Sequence, residues 1–287
     1  MSIARLAGVA AMAERYDGFI LDLWGVVHDG QKPYPGALAC MAHLRRQGKP
    51  LLLLSNAPRR AVDVLPHLAQ MGVNGDHFDD LLTSGDLTRH AVETGSAKVA
   101  SRHYFHLGPE RDWRILEGLD CRKVATLDAS DFVLCSGLFN DETEAPEDYR
   151  DVLAEARRLD LTMLCANPDL VVMRGPKVVP CAGLLAKAYE EQGGRVQYYG
   201  KPHLVAYEAC LARLGLPAAR LLAVGDTLRT DIRGANGAGI DSVLVTGGIH
   251  ADDWNLEPGS LPDDGQIAAA CQLWGATPTG IIASLRW

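Results

Sequence analysis

With 287 residues, 47% of them apolar and 22% charged, the chain has the make-up of a folded globular protein of one large domain or two modest ones. Twenty-eight lysines and arginines against 36 acids leave a net charge of −8. That balance argues against broad nucleic-acid binding, which needs a basic stripe, and against an anionic membrane surface as partner.

The seven cysteines form no C-x-x-C pair, and several sit in apolar runs such as "VLCSG" and "MLCAN". They read as buried thiols of a reducing cytoplasm, with no zinc site or disulfide framework. No stretch approaches the roughly 18 consecutive apolar residues of a membrane span. The opening segment, "MSIARLAGVAAMAERYDG", reads as a helix with an apolar face. Arg5, the short apolar run and "AMA" also loosely mimic a secretory signal, but cleavage near Ala13 would leave the first strand little lead-in.

In chain order, apolar runs bounded by turn residues alternate with helix-period segments. "GFILDLW" predicts a buried strand and "GALACMAHLRRQG" a helix ending at Gly48. "PLLLLSNA" is a second strand; "PRRAVDVLPHLAQMG" a helix, with Pro58 near its first turn and Pro66 at a kink. "DLLTSG" leads to a helix around 86–94. A second alternating region follows, with strands "HYFHLG", "DFVLCSG" and "LTMLCANP" and a helix in "PEDYRDVLAEARRL". Then come the strand "RVQYYGKP", the helix "LVAYEACLARLG" and the strands "RLLAVGD" and "DSVLVTG". The tail "IHADDWNLEPGSLPDDG" reads as a surface loop and "QIAAACQLWGA" as a last helix. The pattern predicts a doubly wound, Rossmann-like α/β core of parallel strands (1–81 and 181–287) interrupted by an α/β cap (82–180).

In such sheets ligands bind beyond the carboxyl ends of the strands. Asp22, Ser55–Asn56, Gly200–Lys201 and Gly225–Asp226 stand at those ends, with Asp231 a turn further on. Hard carboxylate oxygens suit Mg²⁺, and a lysine and hydroxyl suit a phosphoryl group, whose transfer depends on positioning and charge stabilisation. Taken singly, Lys201 could be a surface lysine and Ser55 a helix cap; the four strand ends together are a stronger signal.

The set "DLWGV", "LLLLSNA", "YYGKP" and "AVGDTLRTDI", in that order, resembles the four motifs of the haloacid dehalogenase superfamily. The spacing is similar to its class IIA branch, the NagD-like and p-nitrophenyl-phosphatase-like proteins, with "YPGALACMAHLRRQGK", "LLTSGDLT", "ANPD" and "CAGLLAKAYE" as secondary matches. The resemblance implies a cytoplasmic, Mg²⁺-dependent hydrolase of a small phosphorylated metabolite, and a homodimer. Asp22 would be the nucleophile that forms an aspartyl-phosphate. Asp22, the Trp24 carbonyl and Asp226 would hold the metal, with Asp231 in support. Ser55 and Asn56 would hold phosphoryl oxygens and Lys201 would balance their charge. Asn167 and Asp169 match the "NPD" loop that faces the core in this branch; they equally suit a simple turn.

Trp24 departs from the pattern, because the family's phosphatases carry an aspartate there that protonates the leaving group and activates water. Indole offers only a weakly acidic N–H, and loss of a general acid–base costs ~10²–10⁴-fold. His28 is the candidate replacement, with Asp29 second; the alternative is that "HDG" is a polar turn. Acyl phosphates, whose leaving groups need little protonation, are a further way around the loss. His203 either approaches the phosphate or begins the next helix. His103 and His106, at i and i+3 of one strand, point to opposite faces and make no shared metal site. Within the cap only Arg111, Arg114, Arg122 and Lys123 form a basic group, so the substrate is not legible. Two other functions compete: a binding or regulatory protein that kept the metal site but lost turnover, and a dehalogenase, against which the acidic pair of "GDTLRTD" speaks.

Overall fold

The computed structural model describes residues 3–99, 102–174, 177–249 and 253–287. The chain begins with β1 (Ala4–Arg5), α1 (Ala10–Ala13), β2 (Gly18–Asp22), α2 (Ala37–Arg46), β3 (Leu51–Ser55), α3 (Ala61–Gln70), β4 (Asp80–Thr83) and α4 (Ser84–Glu93). It continues through β5 (His103–Leu107), β6 (Arg122–Val124), β7 (Phe132–Cys135), α5 (Arg150–Arg158), β8 (Thr162–Cys165), β9 (Val171–Arg174), β10 (Lys177–Pro180), α6 (Ala182–Glu191) and β11 (Arg195–Tyr198). It ends with α7 (Leu204–Leu214), β12 (Leu221–Gly225), α8 (Arg233–Gly237), β13 (Asp241–Val245), α9 (Asp264–Trp274) and β14 (Gly280–Ile282). None of the described helices is long and apolar enough to cross a membrane.

Two compact units divide the chain: residues 1–55, 65–82 and 201–287 form the first, residues 56–64 and 83–200 the second. The first is built on a seven-stranded sheet in the order β1-β14-β13-β12-β2-β3-β4. Its central strands β2, β3 and β12 are buried at every position. Strands covered on both faces need continuous apolar runs, which "GFIL", "LLLL" and "LLAV" supply. The register sets Asp22 opposite Leu54 and Val224 opposite Leu21, so Asp22, Ser55 and Asp226 emerge at one end of three neighbouring strands.

The second unit carries a five-stranded parallel sheet, β11-β8-β7-β5-β6, and the antiparallel pair β9–β10. Leu107, Val133, Leu153, Met163, Leu185 and Tyr189 lie in its core. Here the expected boundary at 180/181 moves. β11 pairs in parallel with β8 from Arg195↔Thr162 to Tyr198↔Cys165, so residues 181–200 belong to the second unit and not to the Rossmann-like core. Periodicity marks a strand but not the sheet it joins.

Three further expectations change. The N-terminal segment is the short strand β1, paired with β14, and a helix of only four residues. Helix α3 starts at Ala61, so Pro58 lies ahead of it, while Pro66 is inside as expected. Of the segment 249–265, residues 250–252 lie outside the described residues; in the remainder Trp254 is buried against Leu228, Ile267 and Ile281 and so is no surface loop residue.

Candidate active site

Lys201, the first residue of the first unit's last segment, is the hub of the site. Its ammonium donates to Asp22 Oδ1 at 2.5 Å and to Asp231 Oδ1 at 2.7 Å, and all three side chains are buried. Asp226 completes the group: one carboxylate oxygen from each of Asp22, Asp226 and Asp231 lies within 4.8 Å of the others.

The local backbone explains how the aspartates converge. After β12 the chain makes a single π-helical turn, Leu228–Ile232, a wide turn often found at functional sites. It folds Asp231 back so that its second oxygen accepts from the Thr227 N–H at 3.2 Å. Asp226 accepts from the Thr227 hydroxyl at 3.0 Å and from the Ile249 N–H at 2.9 Å. Glycines give the carboxylates room. A Cβ on Gly225 would stand 2.1 Å from Asp231, and one on Gly25 1.9 Å from Asp226, where φ is also +78°.

Burial and neighbouring like charge work against ionisation of Asp22 and Asp226, and further positive charge would favour it. Burial, followed by the neighbouring Asp231 carboxylate, pushes Asp226 up to about 7. Burial also drives the Asp22 carboxyl upward, against the pull of Lys201. The donor set is all oxygen and in excess of negative charge, which fits a hard divalent cation. Asp22, Asp226 and Asp231 are the residues that would hold it.

Ser55 ends β3 and is buried there, one residue beyond the pairing partner of Asp22. Trp24 is partly exposed, its indole edge-on to the His28 ring with centroids 5.2 Å apart. His28 is buried in the loop after β2. Its Nδ1 accepts the Gly30 N–H at 2.9 Å, and burial pushes its pKa down to about 4, leaving it neutral at physiological pH. Asp29 is a turn residue: Oδ1 accepts the N–H groups of Gln31 and Lys32, both at 2.9 Å, which hold its carboxyl below the usual range.

Within the second unit, Asn56, Ser84, Asn167 and Asp169 form one hydrogen-bonded chain. Asn56 donates to Asp169 Oδ1 at 2.9 Å and accepts from the Ser84 hydroxyl at 3.2 Å. Asn167 accepts the Asp169 N–H at 3.0 Å. These contacts hold the "NPD" turn to the segment after β3, and they engage the side chains that the resemblance assigns to phosphate. His203 is the residue before α7, and His103 and His106 do lie on opposite faces, the first exposed and the second buried.

Sequence reasoning passed over a second buried polar group. His106 Nε2 lies 2.9 Å from the Ser136 hydroxyl, which also hydrogen-bonds Asp112. Polar residues closing the apolar runs "YFHLG" and "VLCSG" were the available signal.

Two family models match, haloacid dehalogenase-like hydrolase over residues 19–122 and HAD-hydrolase-like over 198–268. A solved haloacid dehalogenase-like hydrolase from Brucella suis is 34% identical, with a TM-score of 0.84, over 99% of this chain and 100% of its own. The D-glycerol 3-phosphate phosphatase of Mycobacterium tuberculosis is 28% identical over 84% of this chain, which spans 66% of that relative's length. A glycerol phosphate phosphatase structure from the same organism, in complex with magnesium, is 26% identical with a TM-score of 0.65, over 83% of this chain and 69% of its own. The ribonucleotide monophosphatase NagD of Escherichia coli is 24% identical over 82% of this chain and 89% of its own. Fold, motif order and these likenesses agree: the chain belongs to the haloacid dehalogenase-like hydrolases, in their class IIA branch.

Proposed function

We propose that the protein is a Mg²⁺-dependent phosphatase of a small phosphorylated metabolite, working through an aspartyl-phosphate on Asp22. One observation carries the reading: a lysine fixed between the strand-end Asp22 and Asp231, with Asp226 completing an acidic cluster.

Lys201 grips Oδ1 of Asp22, which leaves Oδ2 as the attacking atom and lowers the repulsion a phosphoryl dianion would meet. Asp22 Oδ2 forms a bond to phosphorus as the bond to the leaving oxygen breaks; water then attacks phosphorus and releases the carboxylate. Ser55, at the adjacent strand end, donates to a phosphoryl oxygen. Asp22, Asp226 and the Trp24 carbonyl, with Asp231 beside them, would hold Mg²⁺, which would supply positive charge to stabilise the phosphoryl group. Trp24 cannot protonate the leaving oxygen, and His28 is neutral and tied to Gly30. Turnover is therefore slow for esters with poor leaving groups.

Trp24 also favours a second reading, a binding or regulatory protein that keeps the metal and phosphate site. One experiment separates the two: Mg²⁺-dependent phosphate release over a panel of phosphomonoesters and acyl phosphates, with Asp22→Asn as the blank. Release lost in the variant is expected. Silence across the panel from protein that binds Mg²⁺ would favour the binding protein.

A further inference from the structure

A main-chain N–H, a main-chain carbonyl and two carboxylate oxygens are the polar groups of Asp231, and each is tied down. Its N–H donates to the Thr227 carbonyl at 3.0 Å, and one carboxylate oxygen accepts the Thr227 N–H at 3.2 Å. The other carboxylate oxygen accepts the Lys201 ammonium at 2.7 Å. The main-chain carbonyl accepts the hydroxyl of Tyr207, on α7, at 2.8 Å. The first two bonds belong to the π-helical turn and the residue before it. The other two come from one stretch of chain, which runs from Lys201 into α7. Its two arms differ in kind. Lysine reaches through a flexible four-carbon stem and holds a side-chain oxygen. Tyr207 is a stiff, buried ring that holds the main chain from which the carboxylate springs. Phenylalanine would fill the same space, and a buried hydroxyl costs free energy unless it finds a partner, so the bond to Asp231 is what the hydroxyl contributes. Burial, with the Asp231 carboxylate behind it, pushes the phenol's pKa upward, so the group stays a donor. Gly234, in the first turn of α8, receives the ring: a Cβ there would stand 2.2 Å from Cε2 of Tyr207 and 2.8 Å from both Cζ and the hydroxyl oxygen. Glycine is a poor helix former, and its use here lets the phenol lie against the backbone of α8.

We infer that Tyr207 and Gly234 are positioning residues for the metal site: the phenol, seated on Gly234, sets the main chain of Asp231 and with it the direction of the carboxylate that joins Asp22 and Asp226. The inference rests on the metal site of the proposed function, but not on turnover. Without the bond the turn gains alternative arrangements. Cation affinity then falls by the fraction of time that the carboxylate points elsewhere.

Mg²⁺ binding to the full chain is measured by calorimetry, with the unfolding free energy from urea titration and phosphate release from phosphomonoesters alongside. Tyr207→Phe keeps the ring and removes the bond, and is expected to bind Mg²⁺ about three- to tenfold more weakly than the wild type. Gly234→Ala displaces the ring and is expected to lose at least as much, and adding Tyr207→Phe to it changes affinity less than about twofold. In an Asp231→Asn background Tyr207→Phe likewise costs less than about twofold, because no charged oxygen is left to direct. Tyr16→Phe is the control. Tyr16 is also buried and its hydroxyl donates to Asp241 at 2.6 Å, but Asp241 opens β13, at the opposite end of the sheet from the carboxylate cluster. That variant is expected to lower the unfolding free energy and leave Mg²⁺ affinity unchanged. A Tyr207→Phe affinity equal to the wild type's, or a loss as large in the Asp231→Asn background as in the wild type, would overturn the inference. The expected losses with no phosphate released from any ester would support the positioning role and overturn the phosphatase reading instead. Wild-type protein that binds no Mg²⁺ would overturn both.

Discussion

The ammonium group of Lys201 stands between Asp22 and Asp231, and all three side chains are buried. Removing one partner of a buried ion pair commonly costs ~3–5 kcal/mol, because the charge left behind has neither solvent nor counter-ion. Lys201→Met is therefore expected to lower the unfolding free energy, measured by urea titration in chelator, by an amount of that order. Mg²⁺ should recover more stability in the variant than in the wild type, since it supplies the missing positive charge. Equal Mg²⁺ effects in the two proteins would argue that the cation sits elsewhere. At this scale the sequence was informative for a physical reason: a carboxylate, hydroxyl or lysine closing an apolar parallel strand has few structural uses. Its limit was loop geometry. His28 and Asp29 read equally as acid or turn, and the Gly30 and Gln31 N–H groups that they accept are set by the fold of the loop.

The π-helical turn Leu228–Ile232 and the glycines around it decide whether the carboxylates meet. Gly225→Ala places a methyl group 2.1 Å from Asp231, and the turn has no slack to move because its carbonyl at Asp231 also accepts the Tyr207 hydroxyl at 2.8 Å. The variant is expected to weaken Mg²⁺ binding at least ~tenfold in calorimetry while keeping the far-ultraviolet circular dichroism of the wild type, because the clash is with a side chain rather than with the sheet. Unchanged Mg²⁺ affinity would remove Asp231 from the metal's surroundings. Most elements of the first unit were legible because buried strands are continuous apolar runs. The pair β9–β10 was not, since "VVMR" and "KVVP" are four residues each and too short for a period to declare itself. β11 was legible as a strand but not as a neighbour of β8, a choice that rests on contacts more than thirty residues apart in the chain.

Over the whole molecule, acid stability is set partly by two groups that titrate in opposite senses in the same buried cluster. Burial pushes His106 down to about 4, so its share of stability is present above about 6.5 and is lost as pH falls toward 4. Burial pushes Asp112 up to about 6, so its share is present below about 3.8 and is lost as pH rises through 6. Between pH 4 and 6 the two offset each other. Asp112→Asn leaves the histidine unopposed, and urea unfolding from pH 7 to 4 is expected to show a steeper fall than in the wild type, by about 2–3 kcal/mol across the window. Parallel curves would mean that the two groups do not titrate there. The division into units has a consequence of its own. The chain leaves the first unit directly after Ser55 and returns for the last time at Lys201, so two residues of the proposed chemistry are themselves the joints. Residues 83–200 form one uninterrupted cassette containing none of the acidic cluster. Exchanging the second unit between relatives would have to carry residues 56–64 along with this stretch, and would leave the carboxylates in place. A one-residue slip at the second joint, by contrast, would carry the Lys201 ammonium away from both of its aspartates.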